Sequence, residues 1–404
     1  MALTKVITGV TDLNQAQSTN GLKFPTGDVF AGTPEEGMIR NDQSQASEGS
    51  ASTMQFYNGT AWKNFVNRDP TPLGSDNFNT VLYTGNSSTQ AITGVGFAPD
   101  FVWIKRRNSA EDHALYDSVR GINKQLSSNT TAVEATNSSP YEGLNSFDSD
   151  GFTSGNNGGT NRSPNTYVAW NWKAGGTAVS NTDGTITSSV SANTAAGFSI
   201  VKWSGNDLAS QTIGHGLSST PELYIIKKTS ATLGWQVNLS SSVTGTEGYL
   251  LLDRDQSMFT TFPNYYTSAN STVLSTNGTS TAERVYNNQS TGYIAYCWHS
   301  VAGYSKIGSY TGNGSATGPI VTTDFEPAFV MVKNTTGTGL WLMSDNKRQV
   351  AATKTTYLQA QSNAAEYSPY TWIEYLNNGF QLKNNGSSLN TNGSTYVYMA
   401  FAAT

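Results

Sequence analysis

Three histidines, one cysteine and scattered acids are the residues of this chain that could do chemistry. His113, His215 and His299 lie in three different contexts. They lack the H-E-x-x-H spacing, or a Cys/His set, that a zinc centre uses. His215, in Gly214-His215-Gly216, reads as a turn residue before a strand. Cys297 is the single cysteine, which excludes an intrachain disulfide framework and an all-cysteine metal site. It stands where the other copies have Asn171 and Ala400, a slot for small residues, which predicts a buried, inert thiol. Asp148-Ser149-Asp150-Gly151 opens like a calcium loop, but the glutamate at the twelfth position is absent. A turn held by an aspartate side chain is expected instead. Asp253-Arg254-Asp255 is a weaker case of the same kind. Glu35-Glu36, and Glu134 with Glu142, would be candidate paired carboxylates for glycoside cleavage. Neither pair recurs elsewhere in the chain, so solvent-facing acids are expected. There is no G-x-S-x-G and no P-loop. Trp235 and Trp341 could stack on sugars if exposed, although a place in the core is the commoner fate of tryptophan. The sequence therefore predicts no enzyme, no metal and no cofactor, and leaves the binding residues unknown.

The elements that would carry such residues are strands. Charged residues make up 13% of the 404 residues, well under the roughly 25% of ordinary globular chains. Ser, Thr, Asn and Gly fill the difference. The 11% aromatic content, set in alternating runs, argues for a packed core rather than disorder. Net charge is −5, and the one cationic cluster is Lys105-Arg106-Arg107. That is too little for a nucleic-acid binder, and the cluster is expected to be a solvated strand end. No apolar stretch reaches membrane-spanning length, and the N-terminus lacks an apolar run of signal-peptide length.

The chain repeats itself three times. Tyr83-Thr84-Gly85-Asn86, Trp203-Ser204-Gly205-Asn206 and Tyr310-Thr311-Gly312-Asn313 are one motif. From its glycine to Pro99, Pro221 or Pro327 the steps are 14, 16 and 15 residues. From those prolines to Tyr167, Tyr293 and Tyr396 they are 68, 72 and 69. Each tyrosine opens an aromatic strand ending at Trp172, Trp298 or Phe401. A turn glycine precedes it each time: Gly151, Gly278 or Gly379. The period is too long for a solenoid unit and has the size of a domain.

This spacing predicts an all-β protein with five segments. Residues 1–66 form an arm and a β-hairpin module, and 67–75 a proline-stiffened linker. Three related β-sandwich domains, jelly-roll or lectin-like, follow at 76–176, 177–302 and 303–404. The second gains a strand from Thr185-Ile186-Thr187-Ser188-Ser189-Val190. In the module, Gly37 to Asn41 pairs with Met54 to Phe65, and Asn58-Gly59 supplies a tight turn. Each closing strand has a bulky face, such as Val168, Trp170 and Trp172. Its other face is a tyrosine followed mostly by small residues, such as Tyr167, Ala169 and Asn171. The bulky face should form the core of its own sandwich, so that truncating Trp172, Trp298 or Phe401 damages one domain.

Pro99-Asp100-Phe101-Val102-Trp103-Ile104-Lys105-Arg106, Ser149-Asp150-Gly151-Phe152 and Thr166 to Gly176 resemble a domain that recurs in tail-fibre-like and other virion structural proteins of tailed, notably marine, bacteriophages. Ser180 to Ile186 and Gly197 to Val201 are similar to the same group. Gly32 to Asn41 with Phe56 to Trp62 resembles a short β module of phage fibre and appendage proteins. The resemblance covers most of the chain and carries no catalytic residues. It implies an adhesive appendage that is assembled in the host cytoplasm, docks on other virion proteins by its N-terminus and presents β domains to a host-surface polysaccharide or receptor. By fibre analogy it implies a homotrimer. A head fibre or capsid decoration, and an array of glycan-binding modules, remain as alternatives. No nucleic acid and no membrane insertion are expected.

Overall fold

The computed structural model describes residues 39–42, 53–57, 60, 62–64, 74–138, 142–260, 267–276, 286–288, 290–349, 355–370 and 372–402. The arm over residues 1–30, Glu35-Glu36, the Asn58-Gly59 turn, Asn277-Gly278 and most of the linker lie outside them. The chain divides into two compact units, Met1–Pro70 and Thr71–Thr404. In the first, Ile39–Asp42, Thr53–Tyr57 and Trp62–Asn64 form an antiparallel sheet, with Ile39 opposite Phe56 and Tyr57 opposite Trp62. The expected pairing is therefore present.

The named strands of the second unit pair antiparallel, with one isolated parallel bridge between Ile186 and Ile213, and the α-helices among its described residues are single turns, Gly158–Asn161 and Ser241–Thr244. No helix among the described residues is long and apolar enough to cross a membrane. Each repeat uses the same four strands in a large sheet. The opening strands are Phe78–Thr84, Phe198–Ser204 and Ser305–Thr311. The second strands are Phe101–Arg106, Leu223–Lys228 and Phe329–Asn334. The third are Ala114–Asp117, Gln236–Leu239 and Leu342–Asp345. The closing strands are Thr166–Trp172, Gly292–Trp298 and Thr395–Phe401. The closing strand always lies between the opening and second strands. Repeat 2 extends its sheet with two strands, Val179–Asn181 and Ser188–Asn193; the extra strand expected from Thr185 begins at Ser188 and runs on to Asn193.

A three-stranded sheet accompanies each large one, centred on Gly151–Ser154, Val273–Thr276 or Gly379–Leu382. Between the two sheets lies a cluster private to the repeat. In repeat 1 it joins Tyr167 and Ala169 of the closing strand to Ile92 and Phe152 of the small sheet. The small-residue face of the closing strand lets the second layer approach, as its pattern predicts.

The bulky faces do something else. Trp170 and Trp172, Ile294, Tyr296 and Trp298, and Val397, Met399 and Phe401 all belong to one cluster that also takes Phe78, Phe198 and Phe329. The face assigned by sequence to the inside of each sandwich is therefore shared among repeats. Trp172 lies 6.3 Å from Trp298 and 5.7 Å from Phe401, ring centre to ring centre, and Phe101 stacks on Tyr296 at 4.3 Å. The reason is area. Each large sheet has two apolar faces, and its small sheet covers only one; the other leaves water by meeting its counterparts.

The Gly-Asn motif closes each repeat. Asn86 N–H donates to Oδ1 of Asn161, and Asn161 Nδ2 donates back to Asn86 Oδ1. Asn206 with Asn287, and Asn313 with Asn390, repeat this exchange. A Cβ on Gly85, Gly205 or Gly312 would strike a backbone carbonyl oxygen, of Arg162, Asn288 or Thr391. Only glycine admits that approach. The motif aromatic stacks on the closing tyrosine at 5.1, 5.2 and 5.0 Å.

Candidate functional site

The three seams between repeats hold most of the buried charge. Six residues after each landmark proline stands a fully buried lysine: Lys105, Lys227 and Lys333. Lys105 Nζ donates to Asn363 O of repeat 3 at 3.3 Å. Lys227 Nζ donates to Thr131 O of repeat 1 at 3.0 Å. Lys333 Nζ donates to Asp255 O and Gln256 O of repeat 2 at 2.9 and 2.7 Å. The contacts run from 1 to 3, from 3 to 2 and from 2 to 1, so they close a ring of three. The same carbonyls accept a backbone N–H across each seam, from Glu111, Leu233 and Gly339. A ring N–H from the residue before the third strand repeats the direction. His113 Nε2 lies 3.0 Å from Gln359 O, while Trp235 Nε1 donates to Ser127 O and Trp341 Nε1 to Leu251 O, both at 2.9 Å. The expectation of solvated strand ends fails at Lys105 and Arg106, which are buried. The neighbouring repeat supplies the acceptors that solvent would have given.

Burial pushes each of these lysines down to about 8. Glu111 and Asp112 near Lys105, Asp253 near Lys227 and Asp255 near Lys333 oppose that shift. Unfolded lysine titrates near 10.5. Between pH 8 and 10.5 the unfolded chain therefore binds more protons, and stability rises with pH. Above about 10 the buried tyrosines reverse the trend, because Tyr116, Tyr296 and Tyr304 are held above their ordinary value by burial. Urea unfolding midpoints are expected to climb from pH 8 to about 10 and then fall. Lys227→Met should remove a part of the climb on the order of 1–3 kcal/mol. A flat profile over this window in the unaltered chain would contradict the assignment.

A second device sits at the end of the third strand. Asp117 and Asp345 each accept from the backbone N–H and the guanidinium of an arginine three residues on, Arg120 and Arg348. All four side chains are buried. Across the seam Tyr296 Oη donates to Asp117 at 2.7 Å, and Trp170 Nε1 donates to Asp345 at 2.9 Å. Repeat 2 has Leu239 at this place, and the residue it would meet in repeat 3 is Met399. Both lie in the shared core. Acceptor and donor are thus absent together.

Most of the residues weighed for chemistry are engaged in structural contacts. Trp103 Nε1 donates to His113 Nδ1, which leaves the proton on Nε2, and burial lowers this histidine to about 3. His215 is buried, with Nδ1 accepting from Leu217 N and Nε2 against Asn270 O. His299 Nδ1 lies 3.0 Å from Ser300 O. Burial pushes the Cys297 thiol up to about 12. Asp150 accepts N–H bonds from Gly96 and Gly94, and Asp148 accepts from the Thr153 hydroxyl, so both carboxylates are engaged by partners outside the Asp148–Gly151 turn and not by the backbone bond within it that the sequence predicts. Glu134 pairs with Arg120, and Glu142 accepts from Asn145. Trp235 and Trp341 are buried and offer no platform to a sugar. Among the described residues no group of three or more His, Cys, Asp or Glu side chains could hold a metal ion.

Among the described residues, two open cavities stand out. One of about 450 Å³ lies where repeats 1 and 2 join, beside Asp100, Lys173 and Asn193. There Asp100 already accepts from Ser118, Ala174 and Gly176. The other, of about 430 Å³, opens at the seam of repeats 2 and 3 between Asp253–Gln256 and the side chains of Leu340, Gln359, Gln361 and Ser362. Sequence reasoning named Asp253 and Asp255, but as a weak ion loop. It took Lys105 for a solvated strand end and missed Lys227 and Lys333, although counting six residues from each proline finds all three.

Fold and seams define a class: an antiparallel β protein whose three repeats close on one another through buried lysines and a common aromatic core. The chain belongs to the family described as "Domain of unknown function (DUF7483)", whose model matches residues 73–404. No curated protein and no solved structure matches it.

Proposed function

We propose that this chain is a structural, adhesive appendage protein of a tailed bacteriophage particle, foremost a tail fibre. Residues 1–66 attach it to other virion proteins, and the β-sandwich repeats are presented for host-surface contact. A capsid head fibre or decoration protein is the second form of the same proposal. The observation that supports it best is the closed ring of buried lysines. Buried ions and amides that a reaction centre would keep open are used here to bind repeat to repeat, which suits a rigid body that bears load and performs no turnover. The separate N-terminal β unit suits attachment. The resemblance of its motifs to those of phage virion proteins suggests the biological setting. A homotrimer, implied by fibre analogy, would use surfaces other than the bulky strand faces, since these are consumed within each chain.

The protein should co-purify with intact particles, and removing residues 1–66 should release it. Its absence from particles would overturn the proposal. Product formation from host polysaccharide would overturn the non-enzymatic part.

A further inference from the structure

We infer that Glu366 is an acid-released clasp that closes the ring between repeats 3 and 1. Repeats 1 and 2, and repeats 2 and 3, follow each other in the chain, so a covalent joint holds each of those pairs together. Repeats 3 and 1 meet by contacts alone. Among the described residues, the ion pair that joins two repeats lies at this seam. Nε and Nη2 of Arg107 donate to Oε2 and Oε1 of Glu366 at 2.7 and 3.3 Å, the bidentate form. Glu366 N–H donates back to Arg107 O at 2.7 Å. Arg348, of the same repeat as Glu366, lies 3.3 Å from Oε2 as a second cation. The Glu366 side chain is 9% exposed and that of Arg348 is fully buried. The other seams are closed differently. Lys333, Trp341 and the N–H groups of Met258 and Gly339 donate to carbonyl oxygens across the seam of repeats 2 and 3. Lys227, Trp235 and the N–H groups of Glu134 and Leu233 do so across the seam of repeats 1 and 2. Carbonyls do not titrate. Asp117, which accepts from Tyr296 at that seam, has its arginine within its own repeat.

Burial raises the Glu366 carboxyl, but the bond from Arg107 and the charges of Arg348 and Arg107 outweigh it and hold the group below the usual 4.5. Its ionisation therefore adds stability above about pH 4.5, and that contribution is lost as pH falls through the lower folded value. A protonated Glu366 leaves two guanidinium groups about one neutral carboxyl, with Asp345 as the remaining anion on Arg348. The other groups in reach do not restore the balance. Lys105 and His113 face Arg348 from repeat 1, with Glu111 and Asp112 beside Lys105. Burial lowers His113 to about 3, so it stays neutral above that pH. From repeat 3, Tyr375 faces Arg348, and the Thr356 hydroxyl faces Glu366.

The test is amide hydrogen exchange of the full chain between about pH 6.5 and 3.5, corrected for the intrinsic rate at each pH. Every seam has its own reporters: the N–H groups of Glu111 and Glu366 for repeats 3 and 1, Glu134 and Leu233 for 1 and 2, Met258 and Gly339 for 2 and 3. Protection at Glu111 and Glu366 should fall at least about tenfold, the worth of one hydrogen bond to a charged group, and the other four should lose less. Glu366→Gln keeps an acceptor for Arg107 and removes the titrating group. Its two reporters should be low already at the upper pH and should stop responding to acid. Arg107→Gln, at a partly exposed position, should lower the same two reporters at the upper pH and leave the other seams as they were. Equal loss at all three seams, or an acid response that survives in Glu366→Gln, overturns the inference. If Glu366→Gln does not fold, unchanged reporters in Arg107→Gln overturn it instead.

Discussion

Trp172→Ala is expected to destabilise residues 71–404 as a whole, by about 3–5 kcal/mol. The ring touches Phe78 and Phe101 of its own repeat, Trp298 of repeat 2, and Phe329 and Phe401 of repeat 3. Truncation leaves a void bounded by all three repeats, and close-packed neighbours collapse into it only partly. Hydrogen exchange along a urea titration reads the result. Amides of the strands centred on Ile294 and Met399 should lose protection at the same lowered urea concentration as those around Trp170. Phe152→Ala supplies the contrast, because Phe152 belongs to the cluster private to repeat 1. Its loss should loosen the small sheet of that repeat before the rest. If Trp172→Ala lowers protection in repeat 1 alone, the common core is not cooperative and the repeats behave as separate beads.

The expectation of separate domains came from the same strands, and its error is instructive. Alternation in Tyr167 to Trp172 says that one face is bulky and the other small. It does not say what stands opposite. A bulky face fits a neighbouring sheet of its own repeat or a neighbouring repeat equally well, since burial is nondirectional. Repeat spacing, strand type and the place of the extra strand before Phe198 were readable because they rest on local pattern. The seams were not, because their partners are far apart in sequence: Arg107 pairs with Glu366, and His113 meets Gln359. One signal was within reach. Lysine recurs at a fixed distance from Pro99, Pro221 and Pro327, inside apolar strands where a solvated end has no reason to keep register. A charge repeated in a buried context marks a satisfied partner.

The largest single-site effect outside the core should come from Asp345→Leu. Asp345 accepts from the Arg348 guanidinium at 2.6 Å and from Trp170 Nε1 at 2.9 Å, and Arg348 lies over the Trp170 ring. Removing the carboxylate strands a buried cation and an indole N–H. Breaking one half of such a pair costs about 3–5 kcal/mol. Glu366, 3.3 Å from Arg348, offsets part of this. Exchanging both partners has a different outcome, because no ion is then left behind. Asp345→Leu with Arg348→Met should recover at least about 2 kcal/mol of the single-variant loss, the remainder being the Trp170 N–H. Repeat 2 is the natural precedent: Leu239 stands in for the aspartate, the position three residues on is the exposed Ser242, and Met399 replaces the donor. A double-mutant cycle by urea unfolding measures the coupling. If the two substitutions simply add, the Asp–Arg pair is not a unit, and the apolar seam between repeats 2 and 3 is no guide to the other two.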